Sequence, residues 1–192
     1  MKRLLLILTA ILPMALTYSA NAQTPEQQKA WMDYMTPGDV HKALAKEDGN
    51  WTFTMSYWMA PGAPAGTSSG TNEYKMVLGG RYQQSVSKAK MEGMDFEGHG
   101  LLGYDNAKQI FQNTWVDNMG TGIMFMEGKW DDASKSVTLN GKMYDPMTGK
   151  DVMVKQVYKM IDDDHHTMEM YMPSPKDGKE FKNMEIKFAR SK

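Results

Sequence analysis

Alternation of apolar and polar positions is the main feature of the chain from Asn50 onward. Ten runs alternate in this way or favour β-forming residues, and turn signals rich in Gly, Asp, Asn or Pro separate them. The runs are 50–59, 68–78, 80–90, 94–104, 107–117, 121–131, 134–144, 151–161, 164–173 and 180–190. Short strands at even spacing predict an antiparallel up-and-down meander. Closure of about ten strands removes the exposed sheet edges, so an all-β barrel is expected.

The segment in front of these strands has a helical pattern. Thr24, Pro25 and Gln27 give a capping-box spacing with proline at the first helical position. A second start signal at 36–39 precedes another short apolar stripe. The sequence therefore predicts one or two short helices within residues 23–48, followed by a barrel domain at 49–192.

Residues 1–22 have the pattern of a secretory signal peptide. Lys2 and Arg3 precede an apolar run at 4–16, and Ala-Asn-Ala at 20–22 is a small-x-small cleavage site. The run is too short to span a bilayer, and no second run of that length follows it. We therefore expect an exported protein, periplasmic or extracellular, without a membrane span.

Composition and charge narrow the classes of function. The 192 residues include 22 Lys and Arg against 23 Asp and Glu, a net charge of −1, and no cysteine. A nucleic-acid binder needs a basic patch, so nucleic acid is not an expected partner. Without cysteine, disulfides and thiolate chemistry are excluded. The sequence also has no Ser-His-Asp constellation, phosphate loop or nucleotide fingerprint, so it favours a protein that is not an enzyme, and no cofactor is expected.

Methionine is unusually frequent, with 20 residues, of which 18 follow residue 22. Alternation places many of them beside aromatic residues on faces expected to point inward. The predicted lining of the barrel is Trp51, Phe53, Met55, Trp115, Met168, Met170 and Met172. A soft apolar lining of this kind suits a small apolar or amphipathic molecule, and binding of such a ligand without catalysis is the favoured function.

Five blocks along the chain carry a family resemblance. Taken in their order along the chain, these blocks resemble sequences of the bacterial family known as domain of unknown function 1579. The similarity extends over about residues 44–190. The blocks are 96–105, 114–117, 126–128, 169–172 and 179–186. The resemblance implies a calycin-like β-barrel and no established activity, and it carries over no catalytic residue.

A second resemblance concerns the start of the first strand. Gly49-Asn50-Trp51 is similar to the Gly-x-Trp motif of the lipocalin superfamily, in which the Trp closes one end of the barrel against an Arg after the last strand. Arg190 occupies the corresponding position at the end of the last predicted strand. The resemblance therefore implies a closing contact between Trp51 and Arg190, for which a cation–π arrangement is suitable.

Two histidines are candidate ligands of a metal or haem. His166 follows three aspartates and shares a face with the methionines of the ninth run, and His99 lies between two glycines in a strand. A solvated turn and a barrel corner explain these positions more simply. Closely spaced methionines also suit Cu(I), which prefers soft thioether ligands. A related group of barrel proteins binds haem through a histidine near its C-terminal strands, which is an analogy of fold. The alternatives are therefore a haem or copper protein using His166 or Met pairs, or a structural module with a filled barrel.

Five glutamates fall within the predicted strands. Two of them facing inward would provide an acid and a base for catalysis, whereas outward-facing ion pairs with Lys and Arg would explain them more simply. They are Glu73, Glu97, Glu127, Glu169 and Glu185. The oligomeric state is left open by the sequence.

Overall fold

Ten antiparallel strands form a closed barrel in the computed structural model, which describes residues 23–192. Neighbouring strands in sequence are neighbours in the barrel, and β1 also pairs with β10. The strands are β1 Gly49–Tyr57, β2 Gly66–Val77, β3 Tyr82–Met91, β4 Met94–Asp105, β5 Ile110–Asp117, β6 Met124–Asp131, β7 Ser136–Asp145, β8 Lys150–Asp162, β9 His165–Pro173 and β10 Glu180–Arg190. The predicted all-β class and up-and-down barrel are confirmed, and the expected signal peptide at 1–22 lies outside the described residues.

Two short helices precede the barrel, α1 at Pro25–Met35 and α2 at Asp39–Ala45. The capping box predicted for α1 is present, since the Thr24 hydroxyl accepts from the Gln27 N–H at 3.3 Å and the Gln27 side chain accepts from the Thr24 N–H at 2.9 Å. α1 contributes no buried residue, whereas α2 buries His41 and Leu44. Among residues 23–192, no helix combines the length and the apolar character that crossing a membrane requires.

α2 marks one end of the barrel. It contacts β2 and β3, and the Gln83 amide donates to the Leu44 carbonyl at 2.9 Å. We call this the helix end; β1 starts there at Gly49, and β2 ends there at Val77. The opposite end, where β1 ends and β2 begins, is called the far end.

Alternation along the strands separates an interior from an outer surface. In β1, buried Trp51, Phe53 and Met55 alternate with exposed Thr52 and Thr54. The core built in this way contains Leu44, Trp51, Phe53, Met55, Tyr74, Phe111, Met126, Val137, Leu139, Val154, Met168, Met170 and Phe188. Burial of each large apolar side chain contributes about 1.5–3 kcal/mol, so the interior lining is the main stabilising element of the barrel.

Two strands start three residues later than their sequence pattern suggests. β5 begins at Ile110 rather than near residue 107, because the Asp105 carboxylate accepts from the N–H groups of Ala107 and Lys108 and holds a turn there. β6 begins at Met124, after the turn that follows Asp117. Local side-chain capping of a turn therefore outweighs the strand preference at these ends.

Candidate ligand-binding site

An aromatic cluster closes the interior at the helix end. The imidazole of His166 stacks on Phe188 at a centroid distance of 4.5 Å, and the Trp51 ring lies 4.6 Å from it. The Tyr74 hydroxyl and His166 Nε2 are 3.1 Å apart. We call the four residues of this cluster the floor: Trp51, Tyr74, His166 and Phe188. His166 is only 3% exposed, so these contacts enclose its ring.

Burial keeps the floor uncharged at neutral pH. Desolvation, with a smaller effect from Arg190, lowers the pKa of His166 to about 4, so the imidazole is neutral. Burial also raises the pKa of the Tyr74 hydroxyl, and burial with the nearby Glu47 raises the pKa of Tyr158 to about 12. The four residues of the floor therefore carry no formal charge at neutral pH, although Arg190 and the buried Glu47 carboxyl lie next to them.

Arg190 connects the floor to the segment that precedes β1. Its guanidinium lies 4.4 Å from the centre of the Trp51 ring and donates to the carbonyls of Lys46 at 2.7 Å and Asp48 at 3.0 Å. The Trp51 indole N–H donates to the Glu47 carbonyl at 2.8 Å. These contacts join the last strand to the α2–β1 connection, which is the arrangement that the lipocalin resemblance implies.

Two buried amides lie one inward position farther from the helix end than two tyrosines. On β2, Asn72 precedes Tyr74, and on β8, Gln156 precedes Tyr158. Asn72 is 3% exposed and Gln156 is 5% exposed. Within the described part of the chain, Asn72 Nδ2, Gln156 Oε1 and His166 Nδ1 have no hydrogen-bond partner. Unpaired polar groups in a buried site need an explanation, because leaving one unpaired costs about 1–3 kcal/mol.

Methionines line the inner wall toward the far end. Four are buried in the core and five more pack against it, and the partly exposed ones include Met124, Met143 and Met184. These three alternate with outward-facing residues, so they occupy inward positions on the far halves of their strands. The inner wall is therefore less completely buried toward the far end than at the floor.

The structure brings the seven predicted lining residues to the inner wall. Trp51, Phe53, Met55, Met168 and Met170 are buried, and Trp115 and Met172 are partly exposed. The Trp115 ring lies against Gly98, where a Cβ atom would overlap it, and its indole N–H donates to Asp117 at 2.8 Å.

His99, a candidate metal ligand, lies on the outer surface. Its side chain is 43% exposed and its Nε2 lies 2.8 Å from Glu97 Oε1. The glycines beside it accommodate the Trp115 ring inside the barrel, which explains why they occur within a strand. Among the described residues, no group of three His, Cys, Asp or Glu side chains is arranged to hold a metal ion.

The five strand glutamates also face outward. Glu169 pairs with Lys182 at 2.9 Å, and the same ammonium pairs with Glu185. The hydrogen bond from Lys182 is the main cause that lowers the pKa of both carboxyls. Glu97, Glu169 and Glu185 therefore form ion pairs on the outer wall, and none of the five glutamates forms an acid–base pair in the interior.

Two depressions lie outside the lined interior. One of about 180 Å³ lies at the far end beside Trp58, Pro61 and Phe181. The other, of about 350 Å³, lies between the end of α1 and the outer face of β4 to β6, beside Met35 and Phe125. The sequence pattern does not predict the second one, because it depends on where the helices rest on the barrel.

Comparison with known proteins agrees with this architecture. The sequence matches the model of the family described as "Protein of unknown function (DUF1579)" over residues 36–190. The chain belongs to this family. The family resemblance inferred from the sequence blocks is therefore confirmed. No curated protein matches the sequence.

A solved structure resembles this DUF1579 protein in fold. The crystal structure of Rv2717c from M. tuberculosis matches it with a TM-score of 0.61 and 12% sequence identity, covering 82% of this chain and 100% of that chain. At this identity the likeness concerns the fold alone. The two proteins thus share the barrel fold, and the similarity says nothing about the residues that line it.

Sequence reasoning missed the polar members of the interior. Asn72, Gln83, Asn113 and Gln156 are all buried, although amides are usually exposed. The available signal was their alternation with apolar residues on β2, β3, β5 and β8. A polar residue at the inward parity of a strand is therefore a useful marker of an interior site.

Proposed function

We propose that this DUF1579 protein binds a small apolar or amphipathic molecule inside its barrel without converting it chemically. The proposal depends chiefly on one observation, the partial exposure of inward-facing methionines near the far end. Trp51 at the helix end is fully buried, whereas these methionines are not. A closed helix end and a less completely buried far end together suit a ligand that enters from one side.

The chemistry of the lining agrees with this proposal. Methionine has three rotatable bonds and a polarizable sulfur, so a methionine wall adapts to ligands of different shapes. Small-molecule sites are mostly apolar, with a few polar groups that fix orientation. Since residues 1–22 have the pattern of a secretory signal peptide, we place this binding in the periplasm or outside the cell.

Titration with the neutral dye N-phenyl-1-naphthylamine tests the proposal. We expect saturable fluorescence enhancement with one dye per chain. Met184→Lys puts a charge on the inner wall and should weaken dye binding roughly tenfold or more, because burying an unpaired charge is unfavourable. The matched control is Met153→Lys on the outer face of β8, where the side chain is 54% exposed, and it should bind the dye like the unaltered protein.

Circular dichroism of each variant checks that the fold is intact. If Met184→Lys fails to fold, Met143→Gln serves as a milder interior variant. Absence of saturable binding in the unaltered protein would contradict the proposal. Equal loss of dye binding in the interior and exterior variants would contradict it as well.

A further inference from the structure

Two amide groups in the interior have complementary unpaired atoms. The Asn72 Oδ1 accepts from the Ser87 hydroxyl at 2.6 Å, which leaves Asn72 Nδ2 as a free donor. The Gln156 Nε2 faces the sulfur of Met170 at 4.0 Å, which leaves Gln156 Oε1 as a free acceptor. The inner wall therefore offers one N–H donor from β2 and one oxygen acceptor from β8.

Few charged side chains face the interior near these amides. Along the described strands, charged side chains occupy inward positions only at strand ends, at Asp117, Asp145, Lys150 and Arg190. The Glu47 carboxyl is buried at the helix end, where the Gln83 amide donates to it at 3.2 Å. The His166 imidazole is neutral because burial lowers its pKa to about 4. A charged group brought to the level of Asn72 and Gln156 would lose its hydration without gaining a counter-charge.

Resting on the proposed function, we propose that the ligand is an amphiphile with an uncharged head group that both donates and accepts hydrogen bonds. A primary alcohol or a primary amide has this chemistry. The head group lies above the floor, accepts from Asn72 Nδ2 and donates to Gln156 Oε1. Its apolar chain extends among the methionines toward the far end.

The same two atoms discriminate against charged amphiphiles. A carboxylate has no proton to donate to Gln156 Oε1, and an alkylammonium has no lone pair to accept from Asn72 Nδ2. Each would leave one amide unpaired in addition to losing its own hydration. A site that hydrogen-bonds a particular group rejects analogues lacking that group by leaving its own polar atoms unpaired.

Displacement of bound N-phenyl-1-naphthylamine by three ten-carbon amphiphiles at pH 7.5 tests the head group. The probes are decan-1-ol, decanoate and decylammonium, which share chain length and differ in charge. We expect decan-1-ol to displace the dye at a concentration roughly tenfold lower than either ion, in line with the effect of one or two unpaired buried groups. The double variant Asn72→Leu with Gln156→Met should lose most of this preference.

The outcomes separate this proposal from the proposed function. If the dye does not bind the unaltered protein, both proposals fail. If the dye binds but decanoate or decylammonium displaces it as well as decan-1-ol does, only the head-group proposal is overturned. Failure of decan-1-ol to displace the dye up to its solubility limit also overturns it. The three-probe series on the unaltered protein decides the matter even if the double variant does not fold.

Discussion

At the scale of single residues, His166 shows how the barrel treats a titratable group in its interior. The imidazole is held by Tyr74, Phe188 and Trp51, and no carboxylate pairs with it. Its pKa is lowered to about 4 chiefly because burial disfavours the charged form. Folding therefore favours the neutral imidazole, and protonation of His166 at low pH destabilises the folded chain.

A pH dependence of stability follows for His166. The unfolded chain takes up a proton near the ordinary His pKa of about 6.5, whereas the folded chain takes it up only near 4. The contribution of the neutral His166 imidazole to stability is therefore complete above about pH 6.5 and decreases as the pH falls toward 4. The loss is at most about 1.4 kcal/mol per pH unit for this proton. Urea unfolding between pH 7 and 4.5 measures it.

The comparison for this prediction is between the unaltered protein and His166→Gln. His166→Gln should flatten the fall of unfolding free energy with decreasing pH, because it removes the buried imidazole whose pKa is lowered. The remaining slope in His166→Gln includes a contribution from His41, whose pKa is also lowered by burial. If unfolding free energy depends equally on pH in the unaltered protein and in His166→Gln, the interpretation of His166 as a buried, neutral imidazole is wrong.

Sequence patterns predicted the side of the barrel for most residues but not their partners. Parity along β9 placed His166 with Met168, Met170 and Met172, because alternation is a local property of a strand. The contact of His166 with Tyr74 joins residues 92 positions apart, so no local pattern contains it. The unpaired atoms of Asn72 and Gln156 are equally hidden, because pairing depends on which distant side chains meet.

At the scale of elements, the spacing of strands and turns determines the meander, and some glycines determine how closely strands approach. At Gly128 on β6, a Cβ atom would overlap the carbonyl of Thr138 on β7. Gly141 on β7 has the same relation to Phe125 on β6. The two glycines allow β6 and β7 to approach each other more closely than side chains at these positions would permit.

Substitution of Gly128 tests this element-level interpretation. Gly128→Ala should lower the free energy of unfolding by about 1–3 kcal/mol, because the new methyl group can fit only if backbone moves. Gly120→Ala is the control, since nothing lies within 4 Å of a Cβ atom there, and its effect should stay within about 0.5 kcal/mol. Urea midpoints of both variants give the comparison, and similar midpoints would show that the close approach of β6 and β7 does not depend on Gly128.

At the scale of the whole molecule, the barrel is asymmetric along its axis. The helix end carries α2, the floor and the Arg190 contacts, whereas the far end carries partly exposed methionines. The strand number and closure followed from the sequence because short alternating runs repeat along the chain. The asymmetry did not follow from the sequence. It depends on where the helices rest on the barrel and on which residues of different strands lie at the same height along its axis.

Native mass spectrometry of the protein purified from the organism that makes it tests the central claim most directly. We expect a fraction of the molecules to carry one additional organic molecule that organic solvent releases and that lacks a charged head group. A visible Soret band or bound copper in the same sample would instead favour the haem or Cu(I) alternative. Only unliganded chains, together with no saturable dye binding, would contradict the account of the barrel as a ligand-binding interior.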